Sequence, residues 1–155
     1  HHHSGKGLKG IFRIENVLTS TNSISSRKAI TEQVQKKLNE ILESSDLIKF
    51  VALVTMDGFT IASGMKDNVN INPKWLGALI VSSIKNLELN LRKVLSEANL
   101  SELVISLGQD LLIVKSIGKL ALIMIVDKSL DMNVIMYEIE EGLNDLSTDL
   151  GLEKR

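Results

Sequence analysis

The chain has 155 residues, a formal net charge of −1 and 44% hydrophobic residues. This length and composition fit one globular domain with a core of its own. A domain that binds nucleic acid normally carries a basic surface, so the near-neutral charge argues against nucleic acid as a partner.

The residue types that most often perform chemistry are missing. Cysteine is absent, and the only histidines, His1–His3, are interpreted as the remnant of a purification tag. Thiolate nucleophiles, Ser–His pairs and His–Cys metal sites are therefore excluded. The longest apolar run, Leu120–Val126, is shorter than the roughly 20 residues of a membrane span. We predict a cytoplasmic protein without catalytic residues, cofactor or metal.

Residues 4–26 differ in composition from the rest of the chain. A short apolar patch within residues 8–18 is followed by a polar linker at residues 19–26. One interpretation is a loose or tag-derived tail. The other is a short helix or strand that docks on the domain or on a partner. We predict that residues 1–26 are tag remnant, extension and linker, and that residues 27–150 form the domain.

The first part of the domain predicts a helix and a hairpin. The helix carries apolar residues at helical spacing: Ile30, Val34, Leu38, Ile41 and Leu42. The continuous apolar run Phe50–Val54 predicts a strand buried on both faces. Asp57 and Gly58 predict a tight primed turn, which requires positive φ, before a second strand at Thr60–Ser63.

A long central helix is predicted from Pro73 to about Ala98, with Asn72 as its N-cap. One apolar stripe along it is expected to pack on the sheet: Leu76, Ile80, Ile84, Leu87, Leu91, Val94 and Ala98. A second stripe has the 4-3-4-3-4 spacing of a coiled-coil seam: Trp75, Leu79, Ser82, Asn86, Leu89 and Lys93.

Two residues of the second stripe have alternative interpretations. Trp75, the only Trp, is either a core anchor at the helix start or an interface anchor, since Trp is enriched in binding hot spots. Asn86 is either an ordinary exposed residue or a polar seam residue that fixes register.

Three further strands and a helix complete the predicted domain. The strands are Leu103–Leu107, 110–117 and 120–126, with turns at Gly108 and Gly118. The last strand is apolar throughout, which places it centrally with both faces covered. A final helix over residues 131–146 carries an acidic face, interpreted as a solvated surface. The order α-β-β-α-β-β-β-α predicts an α+β fold with a five-stranded antiparallel sheet sandwiched between helices.

Two segments resemble the Roadblock family of dynein light chains and prokaryotic GTPase regulators. Val51–Ser63 is similar to the family's opening hairpin, with a hydrophobic strand, an Asp-Gly turn and a strand ending in Ala-Ser. Leu111–Val126 is similar to its last hairpin. The resemblance covers about residues 27–146, and neither segment is catalytic.

The resemblance implies a homodimer, or a heterodimer with a paralogous Roadblock chain. In this family the central helices pack antiparallel across a two-fold axis, and the third strands pair to continue the sheet. We therefore predict a dimer interface formed by the second stripe, by Val104 and by Ser106. Family members also act as platforms for Ras-like small GTPases, which implies a GTPase regulator without an active site of its own.

Two alternatives stay open at this stage. One is a structural adaptor in a larger complex, whose partner is indifferent to nucleotide. The other is a small-molecule-sensing domain or enzyme with a pocket between sheet and helix, for which the sequence offers few aromatic residues and no convergent polar cluster.

Overall fold

The computed structural model describes residues 24–117 and 119–149. The predicted extension up to residue 23, Gly118 and residues 150–155 lie outside it. The helices are α1 (Ile24–Glu43), α2 (Pro73–Leu91) and α3 (Met132–Asp149). The strands are β1 (Ile48–Thr55), β2 (Thr60–Met65), β3 (Glu102–Leu107), β4 (Asp110–Ile117) and β5 (Leu120–Asp127). This is the predicted order, although α1 begins within the predicted linker.

The five strands form one antiparallel sheet in the order β2-β1-β5-β4-β3. The prediction of an α+β fold with a five-stranded antiparallel sheet is confirmed. β5 lies in the centre, as its continuous apolar sequence predicts, and β2 and β3 are the two edge strands.

Helices cover both faces of the sheet and make two separate cores. Side chains of successive strand residues point to opposite faces. Val51, Leu53, Leu122 and Met124 therefore pack with α1 and α3 on one face. The alternate residues Phe50, Ala52, Val54, Ala121 and Ile123 pack with α2 on the other face.

The β1–β2 turn differs in detail from the predicted primed turn. Gly58 has φ +92°, but Asp57 does not have positive φ, so only one residue of the turn is left-handed. Gly58 N–H donates to Thr55 O, and Thr55 N–H donates to Phe59 O. The pairing shifts register between Leu53 and Val54, and this irregularity accommodates a longer loop than a two-residue turn.

The start of α2 is confirmed, and its predicted end is wrong. Asn72 caps the helix by accepting from Lys74 N–H and Trp75 N–H. The helix ends at Leu91, well before Ala98. Side chains at the end of the helix form hydrogen bonds with the backbone of residues 98–100, and the chain between them forms turns instead of helix.

Two hydrogen bonds account for that end. Glu88 Oε2 accepts from Leu100 N–H at 2.6 Å, and Arg92 Nε donates to Ala98 O at 2.8 Å. They bring the chain back toward β3 instead of continuing the helix. Val94, predicted to pack on the sheet, is consequently 82% exposed.

Candidate protein-interaction surface

The buried side of α2 determines which residues it presents to solvent. Gly77, Ile80, Val81 and Ile84 are buried against the sheet. The helix lies so close to β1 and β2 that a Cβ on Gly77 would come within 3.0 Å of Val54 Cγ1. This close packing fixes the rotation of the helix about its axis.

The opposite side of α2 carries the predicted second stripe. Trp75 is 79% exposed, Leu79 60% and Leu89 62%, and Ser82 and Asn86 between them are also exposed. The interpretation of Trp75 as a core anchor is therefore wrong. A row of large apolar side chains in water is unfavourable for a monomer and is typical of a surface that binds another protein.

Lys93 lies beyond the helix, in the turns that follow Leu91, where it is exposed. It therefore does not continue the second stripe along a helical surface. The surface formed by the α2 residues of the stripe runs from Trp75 to Leu89.

The other predicted interface residues, Val104 and Ser106, lie on β3, the edge strand at the opposite end of the sheet from β2. Val104 is 46% exposed, and Ser106 is exposed as well. The register pairs Val104 with Ile113, which points to the α1 and α3 face, so Val104 and Ser106 lie across the sheet from α2.

The residues of β3 on the α2 face are ones that the sequence reasoning missed. Ile105 pairs with Leu112, which packs on the α2 side, and Ile105 and Leu107 are both exposed. The signal was present, because β3 has apolar residues on both of its faces. Which of them share a face with α2 depends on the register with β4.

A groove lies beside Trp75, between α2 and the β1–β2 loop. Its volume is about 600 Å³, and it is open to solvent. Its lining combines apolar side chains with one carboxylate and two amino groups: Met56, Asp57, Gly58, Lys74, Trp75, Ala78, Leu79, Val81, Ser82 and Lys85. It is continuous with the second stripe, because Trp75, Leu79 and Ser82 belong to both.

The groups with shifted pKa values lie at the other end of the sheet. Lys49 Nζ on β1 donates to Asp110 Oδ1 on β4 at 2.7 Å, and this bond raises the pKa of Lys49. Hydrogen bonds from the N–H and hydroxyl of Ser129 lower the pKa of Asp127. The Lys49–Asp110 bond joins two strands, the Asp127–Ser129 bonds hold the turn after β5, and none of these groups belongs to the exposed surface of α2.

The described residues contain neither a cluster of acidic side chains for a metal ion nor a membrane-spanning helix. Among residues 24–117 and 119–149, no three acidic side chains come together in a way that would hold a metal ion. None of the helices described there is long and apolar enough to cross a membrane.

Comparison with known proteins rests on structure alone, because no protein-family model matches the sequence and no curated protein matches it. The fold is similar to Myxococcus xanthus MglB, with a TM-score of 0.65 and 18% identity over 79% of this chain and 91% of that one. A gliding protein MglB from Thermus thermophilus gives 0.61 and 19% over 77% and 91%.

A Roadblock/LC7 domain from Streptomyces avermitilis gives a TM-score of 0.62 at 14% identity, over 75% of this chain and 96% of that domain. The similarity covers almost the whole length of each of these proteins while sequence identity stays below 20%. Such a likeness establishes the architecture and not a shared activity. The chain has the Roadblock fold.

Proposed function

We propose that this protein is a dimeric protein-binding module that binds and regulates a Ras-like small GTPase. The observation that carries the proposal is the exposed second stripe of α2 on a Roadblock fold. The family resemblance of the sequence supplies the partner class, and the structural likeness to MglB supports it. On this proposal the protein acts by binding, with no active site of its own.

A second copy of the chain fits the exposed surface. A two-fold interface is self-complementary, so one apolar stripe serves both copies. Antiparallel packing of two α2 helices would cover Trp75, Leu79 and Leu89, and pairing of two β3 strands would satisfy their outer backbone groups. A structural neighbour described as MglB with a tetrameric arrangement, at 20% identity and a TM-score of 0.61, supports self-association.

The dimer is tested by placing a charge in the stripe. Leu79→Asp should dissociate the dimer, because a carboxylate cannot be buried between two apolar helices without a partner. Ser83→Asp introduces the same charge at a neighbouring exposed position outside the stripe and serves as the control. Light scattering measures the mass, and an unchanged mass for Leu79→Asp would show that the stripe is not the dimer seam.

The GTPase partner is tested by nucleotide-dependent binding. Immobilised protein is offered source-cell extract containing either GDP or a non-hydrolysable GTP analogue, and bound GTPases are identified by mass spectrometry. We expect a Ras-like GTPase to be retained mainly in one nucleotide state. Its purified form should then show altered GTP hydrolysis or nucleotide exchange when this protein is added. Retention of the same proteins regardless of nucleotide would favour the structural adaptor.

The groove beside Trp75 favours a second candidate, a small-molecule-sensing domain. Its mixed apolar and charged lining is typical of ligand sites, but it is wide open, whereas such sites usually enclose most of the ligand. A thermal-shift screen of metabolites and nucleotides tests this role. A stabilising compound whose effect is lost in Trp75→Ala and kept in Ser83→Asp would support it.

A further inference from the structure

The two edge strands of the sheet differ in what covers their outer backbone groups. On β2, the side chain of Gln35 from α1 reaches the middle of the strand. Gln35 Nε2 donates to Ser63 O at 2.5 Å, and Ser63 N–H donates to Gln35 Oε1 at 3.4 Å. Ser63 lies opposite Ala52 in the register, but its N–H and C=O point away from β1, as in a non-hydrogen-bonded antiparallel pair.

The amide of Gln35 occupies the place of a peptide group from an additional strand. A primary amide offers one acceptor oxygen and donor N–H groups, as a neighbouring strand would through its backbone. Ser63 lies near the middle of the six-residue strand β2. On an edge strand, the N–H and C=O groups of every second residue point outward. A strand that bonds to two or more such residues of β2 must therefore bond to Ser63, which lies in the middle.

Further contacts hold α1 against β2 and so keep Gln35 in place. A Cβ on Gly64 would lie 3.1 Å from Asn39 Oδ1 and 3.3 Å from Leu42 Cδ2, so the helix lies against the strand without room between them. Asn39 Oδ1 also accepts from Gln35 Nε2 at 3.1 Å. The Gln35 amide is thus oriented by its own helix.

Among residues 24–117 and 119–149, β3 has no equivalent of Gln35. In the part of the chain that the structure describes, no side chain bonds to the backbone of β3, whose inner groups pair with β4. A protein with two open edges joins copies edge to edge without limit, whereas a protein with one open edge stops at a closed pair.

We propose that Gln35 determines the assembly state by closing the β2 edge, so that strand pairing between copies is confined to β3. The occupant that it excludes is a second copy of this chain, adding in extended form along β2. The limit of two copies rests on the proposed β3-paired dimer, whereas the closure of β2 does not.

The test opens β2 and measures mass. Gln35→Ala removes the amide, and its mass by light scattering is expected to rise with protein concentration beyond that of two copies. Gln33→Ala is the matched control: the same residue type is removed from the same helix, and Gln33 is half-buried as Gln35 is. Circular dichroism checks that each variant is folded.

Two further variants connect the rise in mass to the β2 edge itself. In Gln35→Ala/Ser63→Pro, proline removes the outward N–H at a place where an edge strand tolerates it, so the mass should return to the wild-type value. Gln35→Met keeps about the length of the side chain but removes both the donor to Ser63 O and the acceptor for Ser63 N–H, so it should also open the edge. It replaces Gln35→Ala if that variant does not fold.

Hydrogen exchange separates the outcomes. The Ser63 amide should be protected in the wild type and in Gln33→Ala, and should exchange faster in monomeric Gln35→Ala. A Gln35→Ala protein that keeps the wild-type mass at all concentrations would overturn the proposal. If the wild type is a monomer, the proposed dimer fails, yet a mass increase in Gln35→Ala that Ser63→Pro reverses would still establish the closed β2 edge.

Discussion

The sheet ends differently at β2 and at β3, and the difference separates stability from recognition. Near β2, two side chains bond to backbone: Gln35 of α1 bonds to Ser63, and Lys66, directly after β2, bonds to carbonyls at the end of α1, in the following turn and at the start of β1. At β3, Val104, Ile105 and Leu107 are exposed. At the β2 edge, the outward backbone groups of Ser63 are bonded within the chain, whereas the β3 edge carries exposed apolar side chains.

Exposed apolar residues indicate a binding surface only when they are set against a part of the same molecule where apolar residues are covered. Exposed apolar residues scattered singly are normal in any protein. Here, in the described part of the chain, most of the large ones lie on α2, in the turns after it and on β3, and the others are Phe59 in the β1–β2 loop and Val134 and Tyr137 on α3. Between α1 and the sheet, apolar residues such as Leu38 and Leu42 are buried. We expect substitutions in the contact between α1 and β2 to change the free energy of unfolding, and substitutions at the exposed apolar residues of α2 and β3 to change association.

Lys66→Met should have the largest effect on stability. Lys66 Nζ donates to Leu42 O, Ser45 O and Ile48 O at 2.7, 2.8 and 2.9 Å, and so ties the end of α1 to β1 and β2. Methionine keeps the length of the side chain but removes the amino group that bonds to all three carbonyls, of which Ser45 O keeps a longer bond from Ile48 N–H at 3.3 Å. Urea unfolding should show a loss of about 2 kcal/mol, since water replaces part of the lost bonding.

The control for Lys66→Met is Lys85→Met, at an exposed position on α2. It should change the free energy of unfolding by less than about 0.5 kcal/mol. If the two variants unfold at the same urea concentration, the contacts of Lys66 do not stabilise the β2 side and the comparison between the edges loses its main support.

Gly64→Ala should have a smaller effect on the same side. The added methyl would meet Asn39 and Leu42 at distances shorter than normal contact, so α1 must move outward. A cost of about 1 kcal/mol is expected, as for mild overpacking. Hydrogen exchange should also speed up at the Ser63 amide, because the shift pulls Gln35 from the strand. Unchanged protection there would mean that α1 and Gln35 are not coupled.

Val104→Lys tests the open edge and should leave the isolated chain almost as stable as before. A lysine on an exposed edge strand costs little in the monomer, within about 0.5 kcal/mol, but opposes pairing with another strand. The mass should fall to one copy, and the unfolding temperature should lose its dependence on protein concentration.

Ser101→Lys, at an exposed position just before β3, is the control for Val104→Lys and should behave as the wild type. A dimeric Val104→Lys protein would place the interface elsewhere, and the second stripe would then have to account for association without help from β3.

Local patterns in the sequence were sufficient to predict the helices and strands and the exposed stripe of α2. Alternation and helical spacing record which side chains need burial, so they predicted the central position of β5 and the outward position of Leu79. Asn72 and Pro73 predicted the start of α2 because a helix N-terminus is capped by neighbouring residues.

Features set by contacts between distant residues were not predictable in this way. The end of α2 depends on Glu88 reaching the backbone of Leu100, although the local sequence favours a longer helix. Gln35 resembles any polar residue of an amphipathic helix, and its partner Ser63 is 28 positions away. Val104 and Ile105 could be assigned to their faces only from the register with β4.

The smallest predicted effect is a pH dependence that neither edge controls. Lys49 and Asp110 join β1 and β4 across β5. Because the pKa of Lys49 is raised in the folded protein, its contribution is complete below about pH 10, the usual range of a free lysine, and is lost as the pH rises through the raised value. Because the pKa of Asp127 is lowered, its contribution is present above about pH 4 and is lost as the pH falls through the lowered value.

Lys49→Met should therefore flatten the alkaline side of the stability profile, and Asp127→Asn the acid side, as measured by urea unfolding across pH. Both slopes should be the same in the Val104→Lys background, since the Lys49–Asp110 bond joins β1 and β4 and the Asp127–Ser129 bonds hold the turn after β5, all within one chain. A slope that disappears together with the dimer would instead show that these charges affect association. Residues that stabilise the chain and residues that associate would then not be separate, contrary to the comparison of the two edges.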